Sequence, residues 1–274
     1  MTGWLVLGVA LLVGGFSNRY AWWRRPVDYR HPRVLMYHMV CPHRPGAKFN
    51  GLRVTPERFE AQLAWLKLNG WEFFTVDELW AQWDTLPEKS VAITFDDGYA
   101  DNLHNALPLL EKYDAKATIY IVVDRHERDW STAKKAHHNT GELAREPKLS
   151  DEALQRLVAS GRIEIGSHTL THINMRATSA ADKRHELAES RRLLQTQTGQ
   201  AVTSFAYPFG IYGNEDVALA REAGYTTAVT TVDGIDARTP RPDPLQLKRI
   251  KISGKDTMLA FVMRMRGGKR GWRK

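Results

Sequence analysis

The sequence predicts an α/β fold, a distorted (β/α)7–8 barrel or nearly closed sheet preceded by an amino-terminal hydrophobic anchor. Three observations predict it. Short β-branched runs alternate with helical patterns, which is how a parallel sheet with crossover helices reads in sequence. The 274 residues, 43% of them hydrophobic, can bury one sizeable core. Motifs of acids and histidines directly follow strand-like runs, where such folds place their chemistry.

In chain order, Arg33 to Val40 reads as a first strand. Thr55-Pro56-Glu57 supplies an N-cap, a proline at the first helical position and an early acid; Phe59, Leu63 and Leu66 then share a face until Gly70 ends the helix. Phe73 to Val76 follows as a strand. Next come strand Ser90 to Phe95, helix Ala100 to Tyr113, strand Ala117 to Val123, helix Asp151 to Ser160 and strand Arg162 to Ile165. Helix Ala180 to Thr198, strand Val202 to Tyr207, helix Glu215 to Ala223 and strand Thr226 to Thr231 complete the alternation. No repeat or long linker divides this body, so residues 31–262 read as one domain. The polar stretch Asp124 to Lys148 reads as a surface loop over the site.

The termini differ in character from the body. Residues 1–23 contain an uncharged apolar run, Trp4 to Phe16, followed by Arg19, Trp22, Trp23, Arg24 and Arg25. Thirteen residues fall short of the roughly 20 that cross a bilayer, although the flanks extend them. No basic residue precedes the run and no Ala-x-Ala site follows it, so a membrane anchor is the expectation and a cleaved signal peptide the alternative. Arginines after the run place the body at the cytoplasmic face of a bacterial inner membrane. The net charge of +8 is concentrated in the basic tail, residues 263–274, with Arg264, Arg266, Lys269, Arg270, Arg273 and Lys274. Anionic lipid suits such a tail, Trp272 included. Nucleic acid is the alternative partner and a solvated end the third reading; no nucleic-acid partner is expected of the whole protein. The single cysteine, Cys41, cannot form an internal disulfide, and nothing supports it as a nucleophile.

The strongest chemical signal is Thr94-Phe95-Asp96-Asp97-Gly98. Consecutive strand side chains face opposite ways, so two carboxylates serve one site only where the strand ends, and Gly98 permits the turn. Alone, such a triplet also reads as a turn or helix cap. The second signal is Ser167-His168-Thr169-Leu170-Thr171-His172, whose imidazoles converge on one ion if the segment makes a helical turn. Two histidines and a carboxylate leave coordination positions open, as a catalytic metal requires.

With these motifs the chain resembles the polysaccharide deacetylase superfamily, carbohydrate esterase family four, over about Arg33 to Ile252. The resemblance implies Asp96 as general base and Asp97, His168 and His172 as metal ligands. Ala206-Tyr207-Pro208-Phe209 occupies the place of a third motif, so Tyr207, Pro208 and Phe209 are expected to bind substrate, with the Phe209 N–H at the oxyanion. That motif's arginine, which supports the base, is absent; Arg249 is the candidate replacement, a surface arginine snorkelling from a strand the competing reading. The family's carboxyl-terminal leucine and histidine are absent too, as no histidine follows His185. Leu35-Met36-Tyr37-His38 resembles that motif moved to the first strand, as in the rearranged poly-N-acetylglucosamine deacetylases, and implies His38 as general acid. A satisfied core histidine beside Tyr37 is the competing reading.

The implied reaction is hydrolysis of an acetamide on a 2-acetamido sugar. Zinc is the first choice of metal, and nickel, cobalt or iron would accept the same ligands. Anchoring points to a cell-surface polysaccharide, lipopolysaccharide or lipid-linked glycan as substrate. Two alternatives are a catalytically inactive glycan-binding relative, against which the intact Asp96 argues, and a deacylase of a different acylated sugar. Phosphoryl transfer lacks phosphate-cradling glycines or a lysine beside Asp96 and Asp97.

Overall fold

The computed structural model describes residues 2–20, 22–134, 138 and 140–269. The chain opens with helix α1 (Thr2–Tyr20), β1 (Arg33–Tyr37), a short parallel pair β2 (Met39–Val40) and β3 (Arg53–Val54), α2 (Pro56–Leu68), β4 (Glu72–Phe74) and α3 (Val76–Ala81). It continues through β5 (Ser90–Phe95), α4 (Leu107–Lys112), β6 (Ala117–Ile121), α5 (Ser131–Lys134), α6 (Asp151–Ala159), β7 (Ile163–Ser167) and α7 (Ala180–Thr198). β8 (Ser204–Ala206), α8 (Asn214–Glu222), β9 (Thr227–Asp233), β10 (Leu247–Lys251) and α9 (Met258–Gly267) complete it.

β1 pairs in parallel with both β5 and β10, which closes a seven-stranded ring in the order β1-β10-β9-β8-β7-β6-β5. β4 is an eighth strand outside that ring. It pairs with Ser90–Ala92 at the start of β5, whereas β6 pairs with Ile93–Phe95. Both faces of the strands are buried, which is why they read as almost unbroken apolar runs. Outward side chains such as Leu35, Ile93, Ile119 and Ile165 pack on Phe59, Leu63, Leu157 and Leu187 of the helices. Inward ones, Val34, Ala92, Tyr120, Val229 and Leu247, meet Val76, Leu79, Trp83 and Leu86. α3 and the segment after it therefore plug the amino-terminal end of the barrel and leave the carboxyl-terminal mouth for chemistry.

Several elements differ from the sequence reading. Val76 does not extend a strand; it begins α3, because Thr75 forms a capping box with Glu78, accepting its N–H at 3.3 Å and donating its own to the carboxylate at 3.0 Å. The helix expected over 100–113 contains a π turn, Asn102–Ala106, immediately before α4. Pro108 lacks the N–H that would bond the His104 carbonyl, and its ring displaces that carbonyl. The first strand breaks at His38.

The anchor is overturned. Among the described residues no helix is long and apolar enough to cross a membrane. The apolar run within α1 rises only about 20 Å at 1.5 Å per residue, against about 30 Å of hydrocarbon. Gly8, Gly14 and Gly15 dilute it, and Ser17, Asn18 and Arg19 make the rest of the helix polar. The inner-membrane placement and its cytoplasmic face fall with it, as does the argument from location for a membrane-bound glycan, and the lipid contact expected of this segment loses its basis. The basic tail also begins inside a helix: α9 runs through Arg264, whose buried guanidinium donates to Asp256 Oδ1 at 2.6 Å. Arg270, Trp272, Arg273 and Lys274 lie outside the described residues.

Candidate active site

β5 sends Ala92 and Thr94 into the barrel, and Asp96 continues that inward face at the mouth. Asp97 would point away on a regular strand. Its φ of 78° breaks the alternation, Gly98 follows at 73°, and both carboxylates reach one cavity. Left-handed backbone is uncommon outside glycine and least costly for aspartate and asparagine.

The histidines come from the end of β7, without a helical turn. Left-handed backbone at Thr169 (φ 69°) and His172 (φ 58°) folds the segment back on itself, and Thr169 Oγ1 accepts the His172 N–H at 2.9 Å. His168 Nε2 and His172 Nε2 lie 3.5 and 3.4 Å from Asp97 Oδ1, and one ligand atom from each of the three residues lies within 4.8 Å of the others. His168 Nδ1 bonds the Ala206 carbonyl at 2.7 Å. A carbonyl only accepts, so Nδ1 carries a proton and Nε2 is turned toward Asp97. Burial pushes the His172 imidazole down to about 4, leaving it neutral. Burial alone would raise Asp97, but hydrogen bonds from the two imidazoles carry its carboxyl well below the usual range. Two imidazoles and a carboxylate, with His168 held by an outer carbonyl, fit an open divalent-metal site.

Asp96 has a different partner. Arg249, fully buried on β10, donates Nη1 and Nη2 to its two oxygens at 2.6 and 2.8 Å. Further donation to Thr94 Oγ1 (3.0 Å) and the Thr230 carbonyl (2.8 Å) fixes the guanidinium. Burial would raise the Asp96 carboxyl; the Arg249 charge and its hydrogen bonds outweigh that and bring it below the ordinary value. The arginine is therefore a barrel-interior residue and does not snorkel.

His38 lines the same cavity, about 390 Å³ in volume. Strand alternation puts Met36 beside it, while Leu35, of the expected leucine–histidine motif, faces the outer core. The Tyr207–Gly210 turn separates its residues. Phe209 (φ 58°) lines the cavity and meets the His172 ring edge-on at 4.3 Å. Gly210 is required there, since a Cβ would lie 1.8 Å from Thr231 Oγ1. Tyr207 and Pro208, expected at the substrate, do not line the cavity; Tyr207 is buried and stacks on Tyr212 at 4.3 Å. Cys41 is half-buried away from this cavity, with burial and Asp101 pushing its thiol up to about 12.

The segment 124–148 does reach over the site, through residues that the sequence reading left unnamed. Trp130 stacks on His172 with ring centroids 4.8 Å apart, and Ser131, Lys134, His138 and Leu143 also line the cavity. Lys148 Nζ lies 5.1 Å from the Trp130 ring and donates to the Leu143 and Glu146 carbonyls. Buried Arg53 on β3 grips Glu142 (2.7 Å) and Glu146 (2.6 Å), tying this segment to the one carrying Phe49 and Leu52. An indole in a stretch otherwise rich in charge was the available signal. Thr231 and Lys251 gave only the alternation of their strands.

A polysaccharide deacetylase family model matches residues 84–228. His38 and Arg249 lie outside that span, yet the fold brings both to the cavity or its floor. A Bacillus subtilis (strain 168) protein, YxkH, which bears the polysaccharide deacetylase name by inference only, is 34% identical over 208 residues, covering 75% of this chain and 66% of its own. The poly-beta-1,6-N-acetyl-D-glucosamine N-deacetylase of Staphylococcus aureus (strain MSSA476) is 26% identical over 210 residues, covering 73% and 68%. The chain thus spans about two thirds of the length of these curated relatives. The structure of the Streptococcus pyogenes deacetylase PplD in complex with acetate superposes with a TM-score of 0.71 at 26% identity, covering 88% of this chain and 99% of that one.

Proposed function

Because the chain belongs to the polysaccharide deacetylase family, we propose that it is a metal-dependent hydrolase that removes N-acetyl groups from 2-acetamido sugars of a glycan. One observation carries this reading: Asp96, held ionised by Arg249, opens into the same cavity as the Asp97–His168–His172 set. The name of the Staphylococcus aureus relative favours an N-acetylglucosamine polymer as substrate.

Asp97, His168 and His172 would hold a divalent cation, zinc before nickel, cobalt or iron. The bound ion supplies Lewis acidity toward the acetamide carbonyl and the attacking water. Asp96 takes the water's proton, since Arg249 favours its charged form and it lines the cavity. The Tyr207–Gly210 turn sets Phe209 at the wall, where its N–H serves the developing oxyanion and Tyr207 and Pro208 act by positioning it. His38 protonates the departing nitrogen, because an amide anion is too basic to leave unaided; acetate and a free amine result. Trp130 and Phe209 keep the His172 ring in place by stacking and edge contact.

The test is acetate release from an N-acetylglucosamine oligomer before and after chelation. The reading expects the stripped protein to be inactive and one equivalent of zinc to restore it. Undiminished release by metal-free protein would overturn it.

A further inference from the structure

Lys148 is buried, yet both of its hydrogen bonds go to carbonyls: Nζ donates to Leu143 at 2.7 Å and to Glu146 at 2.9 Å. Its other close neighbours are aromatic. Nζ lies 4.6 Å from the ring centroid of Tyr99 and 5.1 Å from that of Trp130, within cation–π reach of both. Burying an ammonium is costly unless such partners replace its water, so the placement is specific.

The backbone explains how the side chain arrives there. The segment around Lys148 pairs with the turn that follows Asp97: the Ala100 N–H donates to the Pro147 carbonyl and the Leu149 N–H to the Gly98 carbonyl, each at 2.9 Å. Between these bonds Tyr99 and Lys148 form an antiparallel bridge. Residues opposite each other in such a pair share a face, which lays the lysine chain along the Tyr99 ring. Tyr99, Trp130 and Leu143 belong to one buried cluster with Met39 and Val122. Trp130 in turn stacks on His172 with an interplanar angle of 27°. Lys148 does not itself line the active-site cavity, so any influence on the metal set passes through these rings.

We propose that Lys148 is a positioning residue of the metal site: its ammonium holds the Trp130 indole, joined through Tyr99 to the Asp97 turn, in the place where it stacks on His172. This rests on the metal-site part of the deacetylase reading. The competing role, tying together the end of the 124–148 segment through the Leu143 and Glu146 carbonyls, needs a donor but no charge and no indole.

The test is zinc affinity, read by competition with a chelator dye, in a double-mutant cycle with Trp130→Ala. Lys148→Gln keeps a donor for the carbonyls and removes the charge; Lys148→Arg keeps both. The glutamine variant should bind zinc about threefold or more weakly, the worth of a cation–π contact, and no more weakly than Trp130→Ala. The arginine variant should bind nearly as the wild type does. In the Trp130→Ala background the glutamine substitution should add little, because the ring through which it acts is gone. Wild-type affinity in Lys148→Gln, or an equal loss with and without Trp130, overturns the proposal. Lys148→Met serves if Lys148→Gln does not fold, and failure of both to fold assigns Lys148 to structure instead. Acetate release is followed in the same zinc-loaded preparations: none from the wild type overturns the deacetylase reading and leaves the zinc comparison standing, whereas no zinc binding by the wild type overturns both.

Discussion

Arg249 on β10 holds both carboxylate oxygens of Asp96 on β5, 153 residues away in sequence, at 2.6 and 2.8 Å. The pair supplies from the barrel interior the support that is missing from the Ala206–Phe209 segment. It bridges two strands that do not pair with each other, because β1 lies between β5 and β10.

Replacing Arg249 should therefore disable Asp96 twice over. Arg249→Met leaves a buried carboxylate without its partner, at a cost of about 3–5 kcal/mol in stability. The arginine lowers the Asp96 carboxyl, so its removal raises it, and the acidic limb of the pH–rate profile should move to higher pH. The pair's contribution to stability is present above the unfolded carboxylate value and is lost as pH falls through the depressed folded one. An unmoved acidic limb in an active Arg249→Lys or Arg249→Met variant would separate the pair from catalysis.

Trp130 should matter to metal affinity more than to folding. His172 Nδ1 finds no hydrogen-bond partner among the described residues, in contrast to His168, so ring contacts, the stacked indole among them, restrain it on that side. Trp130→Ala should weaken zinc binding by roughly 10-fold, the lower end for loss of an outer partner, while Trp130→Phe keeps most of it. Competition with a chelator dye measures this directly; equal affinities in both variants would show that the indole does not position the ligand.

His38 is the most exposed part of the proposed mechanism to refutation. His38→Ala should lower kcat by roughly 10²-fold or more with metal content unchanged, in line with the worth of positioned proton transfer. Near-normal turnover would return His38 to the role of a wall residue.

Much of this was legible in the sequence, for physical reasons that can be named. β5 and α7 have the bounds expected of them, Ser90 to Phe95 and Ala180 to Thr198, because a β-branched run and a capped, Gly199-terminated helix are local signals. Asp96, Asp97, His168 and His172 were legible as a set because each pair is close in sequence. The convergence of the two histidines was assigned to a helical turn, since left-handed backbone at Thr169 and His172 has no composition signal. α3 was hidden by the β-branched Thr75 and Val76, and its capping box was the overlooked cue. The wall made by Trp130 and Lys134 depends on where a long loop lands, which periodicity does not encode. The amino-terminal segment was misread because aromatic and basic flanks imitate a membrane border, whereas length and apolarity set whether a helix can cross.

The central claim is tested most directly by acetate release from an N-acetylglucosamine oligomer by wild-type protein and Asp96→Asn at matched metal content. The account predicts acetate and free amine in equal amounts from the wild type, and a rate at least about 10²-fold lower from the variant with zinc still bound. Equal rates from the two proteins, or no acetate from the zinc-loaded wild type, would contradict it.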